Sequence, residues 1–293
     1  MKNLFFALVT LITFSGTVFG ISPFFKLAEK VTPLNEMANE IKDALKSGGY
    51  EILGTYNVGN DANKMVIVFT NETIKKLALS YTDRGGLAIA QKVGLIHKNG
   101  KTTVSLLNPL YMFNAYFQEG FDKKATELNA QADAIKKVFK QMGFAFAPFG
   151  GDVRTDDLQE YQYMIGMPEF TDPVKLETYD SFNEGVKTIR ENLKEKEGNT
   201  VKVYELVFAD KKIAVFGVGL LDAEEGEKQF LSIIGEDQLA AMPYEIILEN
   251  TKATMLHGRY RFALYWPELT MSTFTKIMST PGNVEEFLEE IAD

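Results

Sequence analysis

The sequence lacks the residues on which several common kinds of chemistry depend. It contains no cysteine and only two histidines among its 293 residues. The absence of cysteine excludes disulfides, thiolate zinc sites and cysteine nucleophiles. No Gly-x-Ser-x-Gly segment is present, so the strained turn that presents the serine of an α/β-hydrolase has no counterpart here. We therefore assign no catalytic residue and no cofactor from these patterns.

Long apolar runs are also nearly absent, with one exception at the N-terminus. Leu4 to Phe14 is apolar apart from two threonines, follows Lys2 and precedes small residues up to Gly20. This is the three-part arrangement of a secretory signal peptide, and the run is shorter than the roughly 20 residues that span a bilayer. We predict that residues 1–20 are a signal peptide and that the protein is exported, periplasmic or extracellular, without stable membrane insertion after cleavage. An uncleaved anchor is the alternative.

Positive charge is in deficit. Forty acidic residues outnumber 31 Lys and Arg, which gives a formal net charge of −9 at pH 7. An acidic surface repels phosphate backbones, so we predict no nucleic-acid partner. The composition is otherwise typical of a globular protein, and a chain of this length predicts about two domains.

What the sequence does contain is a repeated order of predicted elements: strand, helix, two strands, helix, and a hairpin. The first set is Phe24 to Glu29, a helix closed by Gly48-Gly49, Tyr50 to Val58, Met65 to Phe69, a helix capped by Asn71, and a hairpin turning at Asn99-Gly100. The second set is Val174 to Tyr179, a helix capped by Ser181, Val201 to Phe208, Lys212 to Val218, a helix opened by an Asp222 and Glu225 capping box, and a hairpin whose last strand is Tyr260 to Pro267.

The apolar positions of the two sets also correspond. Leu34, Ala38, Ile41 and Leu45 fall on Phe182, Val186, Ile189 and Leu193 at a constant offset of 148. Such self-similarity indicates an internal duplication. We predict a first domain at residues 21–143, an apolar connecting segment at 144–173, and a second domain, the internal repeat, at 174–293.

This pattern resembles the uncharacterised domain of unknown function 302. The residues that carry the resemblance are Ala44 to Tyr50, Leu87 to Ala90, Val93 to Ile96 and Val104 to Pro109, with Leu239 to Pro243, Ile246 to Leu248 and Phe262 to Pro267 in the second copy. In the second copy Trp266 takes the place of Asn108 and the Gly-Tyr pair is missing. The resemblance implies tandem α+β domains, each a curved, mainly antiparallel sheet of the TATA-binding-protein-like type with helices packed on it. It implies no activity.

Candidate ligand-binding residues come from two aromatic segments. On the predicted strand that ends at Pro267, alternation places Arg259, Arg261 and Tyr265 on one face, where arginine beside an aromatic ring can hold an anionic or planar ligand. The connecting segment adds Tyr161 and Tyr163, which we expect at an interdomain contact. An ordinary strand with one wet face is the alternative reading.

Two further groups of residues have side chains that can bind metals or take part in hydrolysis. His97 and His257 fall in the two predicted hairpin turns, where solvated side chains are more common than ligands, so we predict no metal site. Asp152, Asp156 and Asp157 form the densest acidic cluster, which a solvated linker explains.

We predict a non-enzymatic binding or interaction module for a small molecule or protein that the sequence does not identify. Ligand sites favour domain interfaces, so the cleft beneath residues 144–173 is the expected location. A carboxylate-based hydrolase is one alternative, and a structural protein of the cell envelope is another.

Overall fold

The fold is known from a computed structural model, which describes residues 20–195 and 199–293. The predicted signal peptide, apart from Gly20, lies outside the described residues. Two antiparallel sheets carry helices packed on them, so the α+β class is confirmed. Within the described ranges, no helix is both long and apolar enough to cross a membrane.

The elements up to residue 143 form the first half of the molecule. They are β1 Gly20–Ile21, β2 Phe24–Lys30, α1 Leu34–Ser47, β3 Glu51–Asn57, β4 Lys64–Thr70, α2 Glu72–Ala78, a 3-10 turn Gly85–Ile89, β5 Gln91–Lys98, β6 Lys101–Leu107, α3 Pro109–Phe117 and α4 Ala125–Gln141.

The connecting segment and the second half follow. The segment holds β7 Ala147–Phe149, β8 Val153–Arg154 and α5 Thr155–Gln159. The second half holds β9 Val174–Thr178, α6 Phe182–Glu195, β10 Thr200–Phe208, β11 Ile213–Leu220, α7 Glu227–Ile234, a 3-10 turn Leu239–Ala241, β12 Tyr244–Glu249, β13 Lys252–Met255, α8 Gly258–Tyr265, α9 Met271–Phe274 and α10 Thr280–Ala292.

The strand orders of the two large sheets match. The first sheet runs β3-β4-β5-β6-β2 with β7 added at its edge, and the second runs β10-β11-β12-β13-β9. In the first sheet β2 lies beside β6, the last strand of the hairpin, and in the second sheet β9 lies beside β13 in the same way. A small third sheet pairs β1 with β8 and so ties the start of the described chain to the connecting segment.

The central strands of the first sheet are buried on both faces, which explains their sequence. All seven residues of β4 are buried, and strands covered on both sides read as continuous apolar runs rather than alternating ones. One hydrophobic cluster fills the space between this sheet and helices α1 and α4. A second, larger cluster joins the opposite face of the sheet to the second half. The two halves therefore share one core.

Two glycines allow the halves to approach each other. A Cβ at Gly94 in β5 would lie 2.9 Å from the amide nitrogen of Ala240, in the turn before β12. A Cβ at Gly86, in the turn before β5, would lie 3.2 Å from Cδ1 of Ile247. Each half thus sets the turn before its hairpin against the sheet of the other.

Several local predictions are confirmed. Asn71 caps α2 through its side chain, which accepts a hydrogen bond from the amide of Ile74 at 2.7 Å. Asn99 and Gly100 have φ values of 53° and 73°, and positive φ at both central residues is the type I′ geometry of tight hairpins.

The prediction of a strand at Tyr260 to Pro267 is wrong. The second hairpin closes through Asn250 and Thr251, its last strand is β13, and the aromatic segment forms helix α8. Most of this helix is buried, including Arg261, so its sequence lacks the polar face from which an amphipathic helix is recognised. Its abundance of aromatic residues then favours a strand assignment.

Two further predictions need correction. Helix α7 begins at Glu227 rather than at Asp222, whose carboxylate instead accepts hydrogen bonds from the amides of Glu224 and Glu225 at 2.9 Å within the preceding turn. Asn108 caps α3, and the residue that caps α8 in the same way is His257. The expected correspondence of Asn108 with Trp266 is therefore wrong.

Candidate functional site

The helices that follow the two hairpins meet at the centre of the molecule. The hydroxyls of Tyr116 in α3 and Tyr265 in α8 are 2.5 Å apart and share a hydrogen bond. Tyr111 donates to the carbonyl of Leu264 at 2.7 Å. All three tyrosines are buried, so polar contacts join the halves inside an otherwise apolar core.

An ion pair lies beside these helices. Lys92 is the second residue of β5 and Glu245 is the second residue of β12, and their side chains, 2% and 4% exposed, form a salt bridge. Lys92 Nζ also lies 3.4 Å from the carbonyl oxygen of Pro243. Burial lowers the pKa of Lys92, although the charge of Glu245 acts in the opposite direction. Equivalent positions of the two hairpins thus carry opposite charges and pair with each other.

Arg261 adds a second buried cation. Its Nη2 donates to the carbonyls of Ala241 and Pro243, the latter at 2.9 Å, and its guanidinium lies 3.7 Å from the ring centre of Tyr244. Burial disfavours its charge, but Tyr244 and Glu245 outweigh that effect and raise the pKa of Arg261. We call Lys92, Glu245, Arg261, Tyr116 and Tyr265 the buried polar cluster.

The hydrogen bonding around this cluster is incomplete. Nε and Nη1 of Arg261 and the hydroxyls of Tyr204 and Tyr244 have no partner in the part of the chain that the structure describes. Burying such groups without partners costs about 1–3 kcal/mol each. Since every member of the cluster is less than 10% exposed, its geometry is that of a polar core between the halves.

A second buried carboxylate lies at another contact between the halves. Glu227 opens α7, is fully buried, and accepts hydrogen bonds from the hydroxyl of Tyr56 at 2.9 Å and the amide of Gly59 at 3.3 Å. Burial raises the pKa of Glu227 to about 7, and the hydrogen bonds that it accepts limit this increase. Its ionisation is therefore linked to the packing of the second half against the first.

An open apolar pocket lies between the connecting segment and the second half. Its volume is about 210 Å³. We call it the methionine pocket and define it by Tyr163, Met164 and Met167 on one side and Arg259, Phe262, Trp266, Met271 and Met278 on the other.

Two features make the methionine pocket a candidate binding site. Three of its four methionines are exposed rather than packed: Met164, Met271 and Met278 are 52%, 58% and 63% exposed. Arg259, at the same pocket, provides an exposed positive charge. The pocket thus combines apolar walls with a cation.

The structure separates the residues predicted to form one face. On a helix, residues four apart share a face and residues two apart do not, so Arg261 and Tyr265 point into the core while Arg259 lines the methionine pocket with Tyr163. Tyr161 is buried and does not line the methionine pocket, and its hydroxyl donates to the carbonyl of Ala263 at 2.8 Å. The five candidates are close in space but belong to two different environments.

The acidic cluster of the connecting segment is solvated. Asp156 and Asp157 are 68% and 63% exposed, and each lies 3.7 Å from the guanidinium of Arg154. A general acid in a carboxylate pair is shielded from water, and these two residues are not. Among the residues that the structure describes, no group of three or more His, Asp or Glu is placed to hold a metal ion.

The residues missed by sequence reasoning are those whose role depends on contact between the halves. Lys92, Glu227 and Glu245 look like ordinary polar residues of strands and helices. The methionine pocket had a partial signal, because the connecting segment is too apolar around Met164 for a free linker. No sequence pattern linked it to Trp266.

The fold is α+β, with antiparallel sheets and helices packed on them. Residues 27–142 match the family model described as "Domain of unknown function DUF302". A solved structure described as an uncharacterized conserved protein DUF302 from Bacillus stearothermophilus is similar at 17% sequence identity and a TM-score of 0.32, over 40% of this chain and 93% of that one. No curated protein matches the sequence.

Proposed function

We propose that the protein is an exported, non-enzymatic binding protein that takes a small, largely apolar ligand in the methionine pocket. The exposure of Met164, Met271 and Met278 around a concave surface is the observation that carries this proposal. Covering apolar surface is favourable by about 25 cal/mol for each Å², so a ligand that fills the pocket gains free energy from these side chains.

The charge at the pocket restricts the ligand further. Arg259 is exposed there and favours a negative charge on the ligand. Few, well-placed polar groups in an apolar pocket are typical of small-molecule sites. The preferred ligand is therefore an apolar body that carries one anionic group.

Two proposals concern origin and location. Both halves are copies of one domain of the DUF302 type with a curved, TATA-binding-protein-like sheet, which the matching element and strand orders support. Residues 1–20 are a signal peptide, which their charge and apolar pattern support. Mass spectrometry of the protein from its host would establish the cleavage if the mature chain begins at Ile21. A chain in the membrane fraction that still begins at Met1 would refute it.

Trp266 supplies the assay for ligand binding, because it is the only tryptophan in the chain. An anilinonaphthalene sulfonate dye has an apolar ring system and one anionic group, so it serves as the probe. We expect its fluorescence to rise on binding with energy transfer from Trp266. Met278→Glu places a negative charge among the apolar side chains of the pocket and should abolish this signal, whereas Val31→Glu, at a remote residue that is 78% exposed, should not change it.

The proposal fails if the dye binds Met278→Glu as well as it binds the unchanged protein, with both folded by circular dichroism.

One observation favours a second function. Ile165 is 99% exposed beside the pocket, so this surface could instead contact another protein in a structural role at the cell envelope. In that case a small probe does not displace the partner protein, and association with that partner depends on Ile165.

A further inference from the structure

We infer that the methionine pocket also binds a soft monovalent metal ion, Cu(I) or Ag(I), through thioether sulfurs. This goes beyond the binding of an apolar ligand, because it uses the sulfur atoms rather than the apolar surface. Four of the residues that line the pocket are methionines, although the whole chain of 293 residues contains only 11. The enrichment is in sulfur and not only in apolar character.

The exposure of these side chains separates them from methionines of the core. A core methionine fills a gap and is held by its neighbours, as the fully buried Met37 is. Met164, Met271 and Met278 are more than half exposed, so packing does not occupy their sulfurs. Their flexible side chains can therefore turn toward a common ion.

The local chain geometry brings the donors together. Met164 and Met167 belong to one turn, in which the amide of Met167 donates to the carbonyl of Met164 at 3.0 Å. Met271 opens α9 and Met278 follows it, and both line the same pocket of about 210 Å³. The donors thus come from two separate segments of the chain that line one pocket.

The donor set selects the class of ion. Thioether ligands favour Cu(I) and its analogue Ag(I), whereas zinc and Cu(II) prefer thiolate, imidazole or carboxylate groups. The chain has no cysteine, and its histidines are engaged elsewhere: Nδ1 of His97 lies 2.9 Å from the hydroxyl of Thr102, and His257 caps α8. The indole of Trp266 offers a ring face that attracts cations.

One charge opposes a cation here. Arg259 also lines the pocket, but it is exposed, and charges exposed to solvent are screened over about 8 Å at physiological ionic strength. Thioethers are neutral and flexible, so the ion can bind on the side of the pocket away from the guanidinium. We expect affinity to increase when Arg259 is replaced by Gln.

The test is a titration of the purified protein with silver nitrate in chloride-free buffer. Silver does not change oxidation state, so quenching of Trp266 emission reports binding alone, and native mass spectrometry gives the number of ions bound. Leucine conserves the volume of methionine and removes its sulfur. The quadruple variant M164L/M167L/M271L/M278L should lose silver binding and retain the anilinonaphthalene sulfonate dye.

Single substitutions and a control complete the design. Each single Met→Leu change in the pocket should weaken silver binding about tenfold or more. Loss of a residue that only supports a metal ligand typically costs at least about tenfold in affinity, and here a ligand itself is removed. Met142→Leu, in the first half at the end of α4, should not change it. Cu(I) under anaerobic conditions should follow the same order of variants.

The inference is overturned if the unchanged protein does not bind silver, or if the quadruple variant binds it equally well. Either result leaves the dye experiment to decide the proposed apolar site separately. If the quadruple variant loses the dye as well, the single variants decide. Weakened silver binding with unchanged dye binding supports the inference, and parallel weakening of both overturns it.

Discussion

The buried pair of Lys92 and Glu245 allows a quantitative test of how the halves are held together. Removing one partner of a buried ion pair leaves the other charge without compensation, which costs about 3–5 kcal/mol. Both side chains are less than 5% exposed, so solvent cannot replace the lost partner.

The two single substitutions should differ in size. Lys92→Met leaves Glu245 close to Arg261, whose charge partly compensates it, so we expect a loss of about 3 kcal/mol. Glu245→Gln leaves two cations together in the core, since Arg261 already opposes the charge of Lys92, and we expect about 5 kcal/mol. At about 2–4 °C for each kcal/mol, the melting temperature should fall by about 6–12 °C for Lys92→Met and by about 10–20 °C for Glu245→Gln.

The assay is urea unfolding, followed by circular dichroism and by Trp266 emission. The two signals must coincide before a single free energy of unfolding is derived from them. The double variant K92M/E245M removes both charges, so its loss should be smaller than the sum of the single losses by about 2 kcal/mol or more.

A surface pair is the matched control. Lys75 lies 2.6 Å from Glu51 and 2.9 Å from Glu72, but both carboxylates are more than half exposed. Lys75→Met should therefore cost about 1 kcal/mol or less. If the loss of the double variant K92M/E245M equals the sum of the two single losses within about 0.5 kcal/mol, the ion pair does not join the halves. The same conclusion follows if the single losses are no larger than that of Lys75→Met.

Three further predictions concern other contacts in the core. Because burial raises the pKa of Glu227 from 4.5 to about 7, the folded state keeps a proton that the unfolded state loses, so stability should fall by about 3 kcal/mol as pH rises from about 4.5 to 7. Glu227→Gln should remove this slope in unfolding measured across that range, and parallel profiles would contradict the assignment. Tyr265→Phe leaves the hydroxyl of Tyr116 buried without its partner and should cost about 1–3 kcal/mol in urea unfolding, while the double Phe variant should cost less than twice that; a neutral single change would refute it. Gly94→Ala should destabilise by about 1–3 kcal/mol because its Cβ meets a backbone nitrogen at 2.9 Å, whereas Gly282→Ala, with open space around it in α10, should stabilise by about 0.5–1 kcal/mol; equal melting temperatures would show that the close approach is not limiting.

Predictions from local chemistry succeeded where the local chemistry is sufficient. The Asn99-Gly100 turn and the Asn71 cap depend on residues within a few positions of each other, and both formed as expected. The α+β class came instead from the resemblance of the apolar pattern to a known family, and the sheets and helices of the structure confirm it. The predicted capping box at Asp222 was wrong, because the carboxylate of Asp222 accepts hydrogen bonds within its own turn instead. Even a local capping motif can therefore predict the wrong first residue of a helix.

Helix α8 shows where local reasoning ends. Its residues alternate in a way that fits a strand, and they form a helix because the surrounding core buries them on most sides. That error also misplaced Arg259, Arg261 and Tyr265, which share a face only in an extended chain. The candidate site could be located to a region of the sequence but not to a surface.

By itself, the sequence determined the order of most of the elements, the repeated pattern of apolar positions and most of the turns, because these depend on short-range periodicity and on the backbone preferences of Gly, Asn and Pro. Its resemblance to a known family indicated the class of fold. Only the tertiary structure decided that Lys92 pairs with Glu245, that Glu227 is buried and that four methionines line one pocket with Trp266. Residues separated by tens to more than a hundred positions become neighbours only when the two halves close on each other, and their burial, charge and accessibility are properties of that contact.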